Sequence, residues 1–355
     1  MISGQLLCYR VFDVGPDIKL TQVEAIVSQG LATPGTKSSP QSRSITIRES
    51  PLGFSAGHVA INGQNFDIHL KLWPFGAVSV LFSTKVEART WEEFVSLSHR
   101  WESDSALTQR ALELVDRVVQ LLGPKHRLEK SIIEDYMIFF FPSLPGCEQR
   151  ARDIFQHYRL GNLLLSEVGG VLNEGLEKTL QQNAIQYFEH DITVITWNSA
   201  LVLDPSGRMD IPEVIEMALC QVLEMRYYDA HLEKKLDELY QALQAKDSIW
   251  SDQTEKRARE AARYYLEVQE LVERVGNSLK VIGDLHLAQV FVMASHRFRF
   301  PEWREQVTQK LRTLNDISSL LMNNLHARRS QLLELIIIIL IAVELIPFIR
   351  DWFLR

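Results

Sequence analysis

The hydrophobic period of this chain changes near residue 211, and that change limits the fold more than any single motif does. Before it, short apolar runs alternate with polar residues between Gly, Pro, Asn and Asp, as strands and short helices do. After it, apolar residues recur every three or four positions, from Ile215 to Leu243, from Ala258 to Ile282 and from Leu311 to Leu335. Each series reads as a heptad-like seam. The pattern predicts an α+β protein in three pieces: a mixed sheet-and-helix domain over 1–210, a coiled-coil-like stalk over 211–331, and a C-terminal segment over 332–355. Within the stalk, 211–246 and 252–298 should fold back as an antiparallel helical hairpin about a turn near residue 249. Pro301 marks the start of a third helix, where its missing N–H costs nothing.

The first piece carries several local signals. Residues 4–12 read as a strand, Leu20–Gln29 as a short helix and Gly30–Ser44 as a polar loop. Asn62-Gly63 between two strand-like runs marks a tight hairpin. Thr90 with Glu93 three residues on forms a capping box, and the helix ending at Leu122 should stop at Gly123-Pro124. Residues 134–141 and 184–204 return to extended structure, and Asp204-Pro205-Ser206-Gly207 closes the piece with a turn.

The last piece, Leu332–Ile349, reads LLELIIIILIAVELIPFI, with only Glu334 and Glu344 charged. A helix of that length spans about 27 Å, close to a bilayer core. A single-pass, C-terminal transmembrane anchor is therefore expected, continuous with the third helix, with membrane lipid as a partner and the bulk of the chain in the cytoplasm. Glu344, near mid-span, should be protonated or face a partner helix. The first residues, MISGQLLCYRVFD, lack a basic n-region and a long apolar stretch, so no secretory leader is expected there.

Chemistry-bearing motifs are sparse. The net charge of −7, from 45 acids against 38 bases, argues against a nucleic-acid coat built on phosphate neutralisation, and no direct nucleic-acid binding is expected. Three separated cysteines, Cys8, Cys147 and Cys220, make neither a disulfide framework nor a zinc knuckle. Ten histidines stand singly, so neither metal nor cofactor is expected. Gly53-Phe54-Ser55-Ala56-Gly57 matches the nucleophile-elbow pattern, but that elbow needs a helix directly after the serine, and His58–Ile61 reads as a strand. A hydrolase with a site around Ser55, His58 and His190 is the alternative to a non-enzymatic binding or scaffold protein with an unidentified protein partner. Gly30–Ser38 resembles a phosphate loop in the wrong context, between a helix and a polar loop.

The most unusual polar cluster lies in the stalk. Glu224, Arg226, Tyr228 and Asp229 stand on its first helix, and Arg274, Asn277, Lys280 and Asp284 on its second. Antiparallel pairing would bring these together as a polar layer that fixes register or receives a partner. Ser318 and Arg328 interrupt the third seam, which leaves a homo-oligomer open.

Three stretches carry a family resemblance. Trp73-Pro74-Phe75-Gly76-Ala77-Val78-Ser79-Val80-Leu81-Phe82 resembles the aromatic–Gly–β-branched strand of the uncharacterised proteins required for meiotic nuclear division. Ala218-Leu219-Cys220-Gln221 is similar to that family's Ala-Leu-Ala-Gln helix, with Val222 where the family favours Ser. The ending LLELIIIILIAVELI resembles its membrane tail. The resemblance spans residues 70–355 and implies an α+β domain on a coiled-coil stalk with one C-terminal membrane helix. It brings no catalytic residues.

Overall fold

The computed structural model describes residues 1–15, 18, 51–102, 104–165, 173–244, 252–277 and 284–353. The expected helix over Leu20–Gln29, the loop Gly30–Ser44, the turn near residue 249 and Lys280 lie outside the described residues, as do the side chains of Arg274, Asn277 and Glu344. Eight strands form one mixed sheet: β1 (Ile2–Asp13), β2 (Leu52–Ile61), β3 (Gln64–Leu72), β4 (Ala77–Ala88), β5 (Ile133–Phe141), β6 (Ala184–Ile185), β7 (Ile192–Ile195) and β8 (Ser199–Leu203). Their order is β2-β3-β4-β1-β5-β8-β7-β6. The β5–β8 pair is parallel and the other pairs are antiparallel.

Local chemistry explains the boundaries. Asn62 and Gly63, at φ of 49° and 83°, supply the left-handed pair that a two-residue hairpin needs between β2 and β3. Thr90 caps α1 (Trp91–His99) by accepting from Glu93 N at 3.2 Å, while the Glu93 carboxylate accepts from Arg89 N at 2.7 Å. Asp104 caps α2 (Ser105–Leu122), which ends at Gly123 with φ of 93°. The turn after β8 closes with Gly207 N donating to Asp204 O at 3.2 Å.

Alternation along the central strands gives the sheet two buried faces. Leu6, Cys8 and Phe12 of β1, with Phe66, Phe82, Phe139 and Leu201, point to a core covered by α1, α2 and the short helices α3 (Ile154–His157), α4 (Leu160–Leu164) and α5 (Glu174–Gln182). The opposite face carries Leu7, Tyr9, Ile138 and Val202, and meets α6 (Asp210–Gln244). Glu216 of α6 bonds Lys71 of β3 and Ser79 of β4, Glu224 faces Asp13 of β1, and Arg226 pairs with Glu134 of β5. Ten helical residues advance about 15 Å, and the three strand spacings from β3 to β5 sum to about 14 Å. The helix therefore crosses the strands near one end of the sheet, making a polar contact with each strand it passes.

The remaining helices are α7 (Asp252–Asn277), α8 (Leu285–Arg297) and α9 (Phe300–Phe353). The helix expected over 252–298 is thus two described helices, the second capped by Asp284, which accepts from His286 N and Leu287 N. Two compact units divide the chain: Met1–Tyr227 with Glu273–Trp303, and Tyr228–Val272 with Arg304–Arg355. The second unit is a helical assembly. Leu232, Leu236 and Leu239 of α6, Ala258, Ala261 and Val268 of α7, and Leu311, Leu314 and Leu321 of α9 are buried, so the seams close on one another. Ser318, which interrupts the third seam, is buried and donates its hydroxyl to Ala258 O at 2.7 Å. Lys310 bridges Asp229 and Glu233, each at 2.9 Å, and Arg329 with Arg259 clamps Glu255.

One expectation is corrected. Among the described residues, no helix is long and apolar enough to cross a membrane. The transmembrane segment over Leu332–Ile349, the tail anchor and the membrane localisation drawn from it are not supported. Side chains of α9 are described as far as Val343, and the uncharged apolar run there is Leu335–Val343. As a helix that run rises about 13 Å, under half of a hydrocarbon core.

Candidate functional site

The sheet unit opens into a cavity of about 480 Å³ where β5 and β8 begin. Three levels of structure build it. The parallel pairing of Met137 with Ser199 sets the starts of both strands side by side. On one flank, α6 delivers Arg226 to the start of β5. On the other, the junction between α8 and α9 supplies Arg297, Phe298, Arg299 and Trp303. Trp197 and Asn198, in the turn before β8, complete the mouth.

The polar groups of this cavity divide into satisfied and unsatisfied ones. Arg226 pairs with Glu134 and lies 5.7 Å from the centre of the Trp303 ring. Burial pushes the Glu134 carboxyl above its ordinary range, and the adjacent guanidinium offsets that only in part. Asn198 Nδ2 donates to Glu102 Oε1 at 2.9 Å, and the Tyr136 hydroxyl donates to Thr196 O at 3.1 Å. Arg297 differs: its Nε is buried without a hydrogen-bond partner among the described residues. Trp197 is 72% exposed, an indole presented at the mouth rather than packed inside. Arg299 has φ of 59°, a left-handed conformation that costs a non-glycine residue and that clusters at functional sites.

The residues singled out from sequence are dispersed. Arg226 lines the cavity. Glu224 is fully buried two residues away, facing Asp13. Tyr228 is buried, Asp229 pairs with Lys310, and Asp284 caps α8. The alternative catalytic set does not converge. Ser55 lies in β2 at a bulge, its hydroxyl accepting from Gly57 N at 3.4 Å, and no helix follows it. His58, on the same edge strand, pairs with Asp67 in the open. His190 follows β6 at the other edge of the eight-stranded sheet, where its ring stacks on Phe188. Seven strand spacings, about 33 Å, separate those edges.

Two features escaped the sequence reading. The first is the pair Asp13 and Glu224, 1% and 0% exposed. Burial raises the Asp13 carboxyl to about 7, and burial together with Asp13 raises Glu224 well above the usual carboxylate range. The second is the buried Lys71–Glu216–Ser79 cluster, with Lys71 Nζ donating to Glu216 Oε2 at 2.8 Å. Burial alone would lower Lys71, but Glu216 and Glu213 raise it above its ordinary value. All three cysteines are buried with raised thiol values, Cys8 to about 12 and Cys147 to about 11, which disfavours a thiolate nucleophile. Among the described residues no group of His, Cys, Asp or Glu could hold a metal ion.

Comparison with known proteins points to a different family from the one the short motifs suggested. A family model described as the N-terminal domain of uncharacterized protein MJ0711 matches residues 3–210, more than half of the chain. Uncharacterized protein MJ0711 of Methanocaldococcus jannaschii is 23% identical over 235 residues, covering 66% of this chain and 71% of that protein. No solved structure matches. The resemblance to proteins required for meiotic nuclear division is thereby corrected. Its aromatic–Gly–β-branched stretch is β4 and the turn before it, a pattern that any buried strand after a tight turn satisfies.

Proposed function

For this chain, which belongs to the family of the MJ0711 N-terminal domain, we propose a non-enzymatic binding role, with the cavity at the start of β5 and β8 receiving an anionic ligand that carries a planar ring. The observation that carries this reading is Arg297: a guanidinium whose Nε is buried and unbonded, in a cavity that also holds the indoles of Trp197 and Trp303. A buried polar atom left without a partner costs about 1–3 kcal/mol, which an incoming anion would recover. The indole of Trp197 offers a face for stacking, and the Arg226–Glu134 pair holds the wall of the site in place. The dispersal of Ser55, His58 and His190 further favours binding over hydrolysis.

Tryptophan fluorescence tests the reading. Adenosine monophosphate and benzoate should quench saturably, inorganic phosphate much less, and Arg297→Gln should weaken both ring-bearing anions at least tenfold. Linear quenching by every anion, or an unchanged Arg297→Gln titration, would refute it.

A further inference from the structure

Helix α8 is apolar on two faces. Leu287, Val290, Phe291 and Ala294 pack inward, as a surface helix requires. Its outward stripe should then be polar, yet beside the exposed Gln289 it carries Leu285, Ala288, Val292 and Met293, with Leu285 75% and Val292 44% exposed. This stripe and the edge strand β6 form the walls of an open groove of about 1050 Å³. The groove carries the two guanidinium charges of Arg152 and Arg297, and no described carboxylate lines it. Neither Arg152 nor Arg297 has an ion-pair partner among the described residues.

We propose that this groove docks an acidic amphipathic helix of a partner protein. The stripe from Leu285 to His296 extends about 17 Å, three helical turns, which matches a partner presenting apolar side chains at i, i+4 and i+7. Carboxylates on the flank of that helix would meet Arg152 and Arg297, giving the complex its direction. A strand is disfavoured as the occupant. β6 is only two residues long, and the next two backbone donors, Tyr187 N and Phe188 N, are already taken by the Asp191 carboxylate at 2.8 and 3.0 Å. The edge therefore offers little ladder for an added strand.

A display library of 14-residue helical peptides selected on the full chain tests this, with binding of the enriched clones measured by fluorescence anisotropy. Enriched clones should carry Leu, Ile or Met at helical spacing beside Asp or Glu, and should weaken as salt rises. Val292→Asp and Arg152→Glu alter exposed side chains, so circular dichroism should be unchanged while affinity falls at least tenfold. Changing one peptide Glu to Lys should restore binding to the Arg152→Glu chain. An absence of helical clones, enrichment of basic ones, equal binding by the Val292→Asp chain, or laurate saturating the groove where no peptide does would overturn the proposal. Val292 and Arg152 do not line the smaller cavity, so failure here leaves the anion site untouched.

Discussion

Replacing Glu224 with Gln should change how stability depends on pH, with a sign opposite to that of an ordinary paired carboxylate. Asp13 and Glu224 face each other in the interior, and beyond that contact neither Glu224 oxygen has a hydrogen-bond partner among the described residues. Burial raises Asp13 from 3.8 to about 7 and Glu224 upward as well, so the folded chain holds protons that the unfolded chain has released. Where the folded state binds the extra proton, stability falls by about 1.4 kcal/mol per pH unit. For Asp13 alone the loss begins near pH 4, runs until about pH 7 and totals about 4 kcal/mol; above that it is constant. Gln at 224 replaces a carboxyl that must stay protonated in the folded chain and still offers Asp13 a donor, so the share of the loss that Glu224 contributes disappears while that of Asp13, set by burial, remains. Urea unfolding followed by tryptophan fluorescence at pH 5, 6, 7 and 8 would read this, since Trp73, Trp91 and Trp101 are buried in the sheet unit. The variant should be equal to the parent or about 1 kcal/mol weaker at pH 5, and about 2–4 kcal/mol more stable at pH 8. Taking the difference cancels every other titrating group. A gap that stays constant from pH 5 to 8, or that moves in the parent's favour as pH rises, would show that the pair does not share protons in the folded state.

Two further outcomes follow from the helical unit and from the α8–α9 junction. Leu236→Ala should cost about 2–4 kcal/mol, because Leu236 is 9% exposed within a closed seam; an unchanged urea midpoint would mean the seam is open in solution. Arg299→Gly should raise stability by about 1 kcal/mol, since glycine adopts the left-handed backbone at position 299 without steric cost, while the same change weakens anion binding in the fluorescence titration. A glycine variant that loses stability would show that the Arg299 side chain holds more than the backbone strain costs.

What the sequence made legible follows the range of each interaction. The Asn62-Gly63 hairpin, the Thr90–Glu93 cap and the stop at Gly123 rest on groups within four residues of one another, and each stands where its local chemistry put it. The change of period near residue 211 was equally readable, because a helix face repeats its burial every turn. The polar contacts of α6 were not. Glu224 faces Asp13, more than two hundred positions earlier, and only the strand order brings that residue under the helix. One signal was available. Glu216, Gln221 and Glu224 interrupt an otherwise apolar run from Val214 to Met225, and polar groups there are buried rather than solvated. The cavity was less legible still, since Arg226, Glu134, Trp197 and Arg297 come from four distant stretches and share no spacing. The misreading of Leu332–Ile349 has the opposite cause. Hydropathy adds residues without asking what surrounds them, and short motifs of apolar and small residues recur wherever strands and helices are buried. Agreement along residues 3–210 outweighs three such fragments because it samples every strand of the sheet together with the loops between them. For the same reason, the next residues of functional interest in this chain should be sought where α6 and the α8–α9 junction meet the start of β5, a place that no single stretch of chain describes.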